Sequence, residues 1–121
     1  MPRLSPAARA FRALHALIAL AFLAAIGYVW FCALTGRRGR RLNAASLALI
    51  AEGAVVAANH GDCPLGPLQD RLHDPVPLFE LVLSPTAAKR AIPVLGTVAA
   101  VGIALAQRPA RRLPSRGGRT R

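Results

Sequence analysis

The sequence predicts an all-α integral membrane fold with three transmembrane helices, and three observations predict it. The first is a conflict: the chain of 121 residues is 54% hydrophobic yet carries a formal net charge of +11. A soluble domain this short buries too little surface to hide so much apolar area. The second is segregation. No Asp, Glu, Lys or Arg occurs in the 24 residues between Arg12 and Arg37 or in the 17 between Arg90 and Arg108, and only Glu52 interrupts the 20 between Arg41 and Asp62. The third is length. A helix crossing about 30 Å of hydrocarbon needs about 20 mostly apolar residues, with about 17 as the lower bound. In lipid, such stretches satisfy their peptide groups only as helices. One domain over residues 1–107 follows, with helices at about 11–34, 43–59 and 85–107 and a disordered basic tail at 108–121.

Each element has its own signal. Residues 1–10 form a short basic lead. The first span, Phe11 to Leu34, is too long for a signal-peptide core and lacks a small-x-small cleavage pattern, so it reads as a retained helix. Tyr28 and Trp30 near its end match an interfacial aromatic belt. The linker Gly36–Arg41 is short, which makes the first two helices antiparallel neighbours, and Asn43 is the expected N-cap of the second. Pro64, Pro67, Pro75 and Pro77, with Gly61 and Gly66, exclude a long regular helix from residues 60–77. The apolar piece Leu78 to Leu83 around Glu80 is too short to span and reads as interfacial. Ser84-Pro85 marks a fresh helix start, with Ser as N-cap and Pro in the first turn. Lys89 and Arg90 then snorkel to the headgroups, and Pro93 is the place for a kink. Gly96, Ala100 and Ala104, and Ala21 with Ala25, recur at helical spacing. Such rows either let helices approach closely in lipid or reflect nothing more than abundant Ala.

Charge sets topology and partners. Four linker and six tail arginines fall on one side of the membrane; Arg3, Arg9, Arg12, Arg71, Lys89 and Arg90 fall on the other. The positive-inside rule then places the N-terminus outside and the C-terminal tail in the cytoplasm. Arg supplies every basic residue but Lys89, and Ala is abundant, a composition that points to a GC-rich bacterial genome and so to a bacterial cytoplasmic membrane. The partners this implies are the bilayer itself, anionic headgroups at the Arg-rich linker and tail, and other membrane helices or copies of the chain. Each basic residue near the surface adds about 1 kcal/mol of headgroup attraction. Nucleic acid is not an expected partner, since no recognition fold accompanies the charge. Cys32 and Cys63 fall at opposite ends of the helix pair, roughly 25–30 Å apart by helix rise. A disulfide needs Cα atoms within about 7 Å, so none is expected between them.

Five polar residues are candidates for chemistry. His15 sits in the first helix and His60 just past the second, at similar depth by counting outward from the turn. Cys63 and Glu80 belong to the connection on that same side. Imidazole, thiolate and carboxylate are ligand types of haem and transition-metal sites. No pair has His-x-x-x-His or Cys-x-x-Cys spacing, so no cofactor is predicted and interfacial hydrogen bonding is the favoured reading. Glu52 falls near the middle of the second helix, where a charged carboxylate facing lipid costs several kcal/mol. It must face other helices, take a proton or find a partner: either it is a structural residue whose interhelical hydrogen bond fixes packing, the favoured reading, or it is a proton-responsive or ligand-contacting carboxylate. Asn59, seven positions on, shares its stripe. No nucleophile–base set or phosphate-binding loop is visible.

The loop Cys63-Pro64-Leu65-Gly66-Pro67-Leu68-Gln69 resembles the Cys-Pro-Leu-Thr-Pro-Leu-Glu segment of a family of small bacterial inner-membrane proteins without an assigned activity. His15 matches a His early in that family's first helix, and Glu52 matches a Glu in the helix before the Cys-Pro-Leu segment. Leu78 to Pro85 approximates a Phe-x-Glu element that ends in Pro. The likeness spans about residues 13–107. It departs where the family's Cys follows the Glu more closely, where its second helix is aromatic-rich and where a further His follows the Phe-x-Glu element. The resemblance implies three-span architecture and a role for His15, Glu52 and Cys63, and implies no reaction. The function expected is that of a non-enzymatic accessory or scaffold subunit. The alternatives are a haem- or metal-binding electron-transfer subunit using His15 and His60, and a proton-coupled transport component centred on Glu52.

Overall fold

A computed structural model describes residues 3–61, 64–73, 76 and 78–109. Four α-helices account for most of them: α1 (Pro6–Thr35), α2 (Arg40–Ala58), α3 (Gly66–Arg71) and α4 (Pro85–Ala106). A 3₁₀ turn, Leu78–Leu81, precedes α4. No strand occurs among the described residues. The helices α1, α2 and α4 are each long and apolar enough to cross a membrane, as the sequence predicts.

The starts of these helices follow from capping. Ser5 accepts a hydrogen bond from the Ala8 N–H at 3.1 Å with Pro6 in the first turn, and Ser84 accepts from the Ala87 N–H at 3.3 Å with Pro85 behind it. The same Ser-Pro signal therefore opens both helices. It carries α1 five residues ahead of Phe11, where apolarity alone sets its start. At 30 residues, α1 is about 45 Å long, more than about 30 Å of hydrocarbon requires, and Arg9 and Arg12 fall within its first two turns. It stops at Gly36, whose φ of 71° permits the left-handed cap that returns its N–H to the Cys32 carbonyl at 2.9 Å.

Asn43 does not cap α2. The helix begins at Arg40 behind Gly39, because three good helix formers, Arg40, Arg41 and Leu42, follow the glycine directly. The Asn43 amide is spent on tertiary structure instead: its Oδ1 accepts from Gln107 Nε2 at 3.3 Å, and the same Nε2 reaches Ser46 Oγ at 3.5 Å. This contact joins the first turn of α2 to the end of α4. Helix α4 runs unbroken through Pro93.

The three spans form an antiparallel pair, α1 with α2, and a parallel pair, α1 with α4. Helix α1 is the hub, and α2 and α4 touch each other far less than either touches α1. The core gathers at the end near the Arg linker, where Val29, Cys32, Leu42, Leu49, Ala99 and Ala106 are buried together. Trp30 reaches across it. Its Nε1–H donates to the Val98 carbonyl at 3.1 Å, and its ring lies so close to Gly102 that a Cβ there would stand 2.7 Å from Nε1. The small residues of α4 that are buried are Ala88, Ala99, Gly102 and Ala106; Ala100 and Ala104 are exposed, and Gly96 faces a cavity described below. Outward surface is apolar throughout, with Leu17, Leu20, Leu34 and Leu47 each more than half exposed. In water that surface is untenable; in lipid it is the solvated one.

The connection from α2 to α4 returns to the side on which it began. Its short α3 is held by Gln69, a buried side chain whose Nε2 donates to the Val76 carbonyl at 2.7 Å. The basic tail lies outside the described residues from position 110 onward.

Candidate functional site

The bundle does not close at the end away from the Arg linker. A cavity of about 380 Å³ lies between α1, α2 and α4, with Pro64 and Leu65 of the connecting loop against it. Thirteen of its fifteen lining residues are apolar, and the remaining two are His15 and Glu52. Along α1 it extends from His15 to Ile26, a rise of about 16 Å.

His15 is placed one turn after Phe11, whose ring packs against the imidazole at 5.8 Å between centroids and 50° between planes. Phe11 is a positioning residue that sequence reading passed over. The signal was present, since an aromatic four residues before a histidine shares its helix face. Glu52 comes from the facing side of α2, six residues before the helix end, about 9 Å below it by helix rise. Both side chains are half-buried. Both line the cavity between the helices. Glu52 thus lines the space between the helices, half-buried. In a low-dielectric cavity the attraction between such groups is several times stronger than in water. The cavity wall thus carries a carboxylate, a hydrogen-bond acceptor when ionised, and an imidazole able to donate or accept.

The other candidates are not brought to this place. His60 is exposed and not among the lining residues. The cause is local: α2 ends in a reversal in which the Gly61 N–H returns to the Val56 carbonyl at 2.9 Å, and His60 takes the left-handed position with φ of 58°. Glu80 is half-buried in the 3₁₀ turn and does not line the cavity either. Cys63 lies outside the described residues, although its neighbours in the resembled motif, Pro64 and Leu65, line the cavity. Asn59 is half-buried at the α2 C-cap, away from the lining. Cys32 is a buried free thiol in the closed end of the bundle. Among the described residues, no group of three or more His, Cys, Asp or Glu side chains converges.

Fold and site together define a class: a multi-pass, three-span helical membrane protein with an ionisable pair inside the bundle. No family model, curated protein or solved structure matches the chain.

Proposed function

We propose that the chain is a non-enzymatic accessory subunit of a bacterial cytoplasmic membrane, with linker and tail on the cytoplasmic side and a ligand-contacting or proton-responsive pair formed by His15 and Glu52. The observation that carries this reading is the convergence of that pair on one cavity, from helices 37 positions apart in sequence. A carboxylate within a span is costly to keep, and packing alone would be better served by an apolar residue there. Its expense is accounted for if a ligand or a proton uses it. The same two residues match the resembled family of small inner-membrane proteins, which supports the assignment.

The accessory role draws on the apolar faces of α1, α2 and α4, which stay open to other helices as well as to lipid. The cytoplasmic placement draws on Arg37, Arg38, Arg40, Arg41 and Arg108, which cluster at one end of the bundle and suit anionic headgroups. Copurification of the chain from native membranes tests the reading. It predicts a stable complex larger than the lone chain, retained in Glu52→Gln if the pair serves the ligand rather than the partner. Recovery of the chain alone under mild detergent, at every expression level, would refute the accessory role.

A further inference from the structure

Charge is shared unequally between the two membrane sides. The linker and tail hold ten arginines and no Asp or Glu, whereas on the other side six basic residues are set against Asp62, Asp70, Asp74 and Glu80 of the α2–α4 connection. The basic end therefore has no acidic side chain of its own to neutralise it.

The fold brings part of that charge to one place. Asn43 Oδ1 accepts from Gln107 Nε2 at 3.3 Å, which ties the first turn of α2 to the end of α4. Arg40 precedes Asn43 by three residues and so shares its helix face, and Arg108 directly follows Gln107. Both arginines are exposed. Two neutral amides thus hold a pair of cationic residues at the same end of the seam between α2 and α4, two helices that otherwise touch little. Like charges gathered in this way repel unless an anion joins them. We infer that the anion is the phosphate of an anionic bilayer phospholipid, seated beside the α2–α4 seam and engaged by Arg40 and Arg108. The inference rests on the membrane placement proposed above and names the partner of its basic end.

The surface below the arginines selects a lipid over a soluble anion. Leu47 and Ile50 continue the face of Arg40 and Asn43 into the span, and each is more than half exposed. A guanidinium above and an open apolar strip beneath match a phospholipid's head and tail. Free phosphate would meet the arginines and leave that strip uncovered. Guanidinium groups suit phosphate in particular, because their planar donors pair with two of its oxygens. A choline headgroup brings its own cation to the same arginines and is the poorer partner.

The test is native mass spectrometry of the full-length chain, released from mixed micelles of phosphatidylglycerol and phosphatidylcholine with identical acyl chains. Phosphatidylglycerol should be retained over phosphatidylcholine by about twentyfold, since each arginine near a headgroup adds about fivefold in affinity. Arg40→Gln and Arg108→Gln should each lower that preference about fivefold, while Arg38→Gln in the linker and Arg90→Gln at the far end should change it by about twofold or less. Equal retention of the two lipids by the unaltered chain would overturn the proposal, and that comparison needs no variant to fold. An equal loss in Arg38→Gln would also overturn it, by reducing the seam to a diffuse positive field. Displacement of phosphatidylglycerol by an equal concentration of inorganic phosphate would overturn the choice of a lipid. Absence of any lipid preference in a chain that still copurifies with a native complex would end this assignment and leave the accessory reading standing.

Discussion

The two ends of this bundle are built from the same three helices to opposite standards. Near the Arg linker, α2 and α4 are tied by Asn43, Ser46 and Gln107, and Trp30 presses onto Gly102. At the other end the helices leave about 380 Å³ between them and set an acid and a base on its walls. One end is closed by these contacts; the other leaves a cavity, with Ala8 and Ala88 buried beyond it. Places where a chain departs from its own packing rules are where function is to be sought. The teaching is that in lipid, where burial from water no longer drives association, closure has to be supplied by small residues and interhelical hydrogen bonds.

Substitutions at the two ends should therefore behave differently, and the largest contrast lies within α4 itself. Gly102→Leu drives a side chain into the Trp30 ring and should cost about 2–3 kcal/mol or prevent folding. Gly96→Ala, six residues earlier, meets nothing within 4 Å and, as a glycine-to-alanine change inside a helix, should be neutral or raise stability by up to about 1 kcal/mol. Thermal denaturation in a mild detergent compares them, and equal losses would erase the distinction between the ends.

Glu52→Leu removes an ionisable group from a span and should raise stability by about 1–2 kcal/mol. A large loss of stability would mean that Glu52 is a structural tie, and the open end would then be closed by other means. Ser46→Ala should cost about 0.6 kcal/mol, the average for an interhelical hydrogen bond in lipid, and Gln107→Ala about twice that, since it also loses the bond to Asn43. The two should not be additive, since they share one bond; a double-mutant cycle reads this directly. The smallest expected effect is at Phe31, where Arg37 lies 5.5 Å from the ring centroid on an exposed face. Arg37→Gln should change stability by about 0.5 kcal/mol or less.

Cys32 sharpens the comparison without changing any packing. In a Cys63→Ser variant, its buried thiol should resist a maleimide for as long as the bundle is folded and react on denaturation. Rapid reaction of the native chain would show that the closed end opens.

The spans were legible in the sequence because lipid imposes one rule, continuous apolarity over sufficient length, and Glu52 was the one breach to notice. Helix starts were legible where the cap was local, as at Ser84-Pro85. The same pair at Ser5-Pro6 carried the true start of α1, and apolarity hid it, because the first turns of that helix lie among arginines. Asn43 was misread for a related reason. A short polar side chain next to a helix start suits a cap, and only the fold shows that Gln107, 64 residues away, takes it. The cavity was not legible at all. It depends on how α2 and α4 are rotated about α1, and sequence periodicity gave His15 and Glu52 no common face. His60 was drawn toward His15 by counting residues, and one left-handed turn at the end of α2 sends it elsewhere.

One crossing, that of α2, separates the Arg linker from the α2–α4 connection, and everything above depends on that separation. Single cysteines at Arg38, Arg71 and Arg108, in a chain freed of its two native thiols, report it in intact cells with a membrane-impermeant maleimide. The account predicts that Arg71→Cys reacts at once, and that Arg38→Cys and Arg108→Cys react only after permeabilisation. Labelling of Arg38→Cys and Arg71→Cys from the same side would mean that α2 does not cross, and would contradict the three-span bundle and the cavity within it.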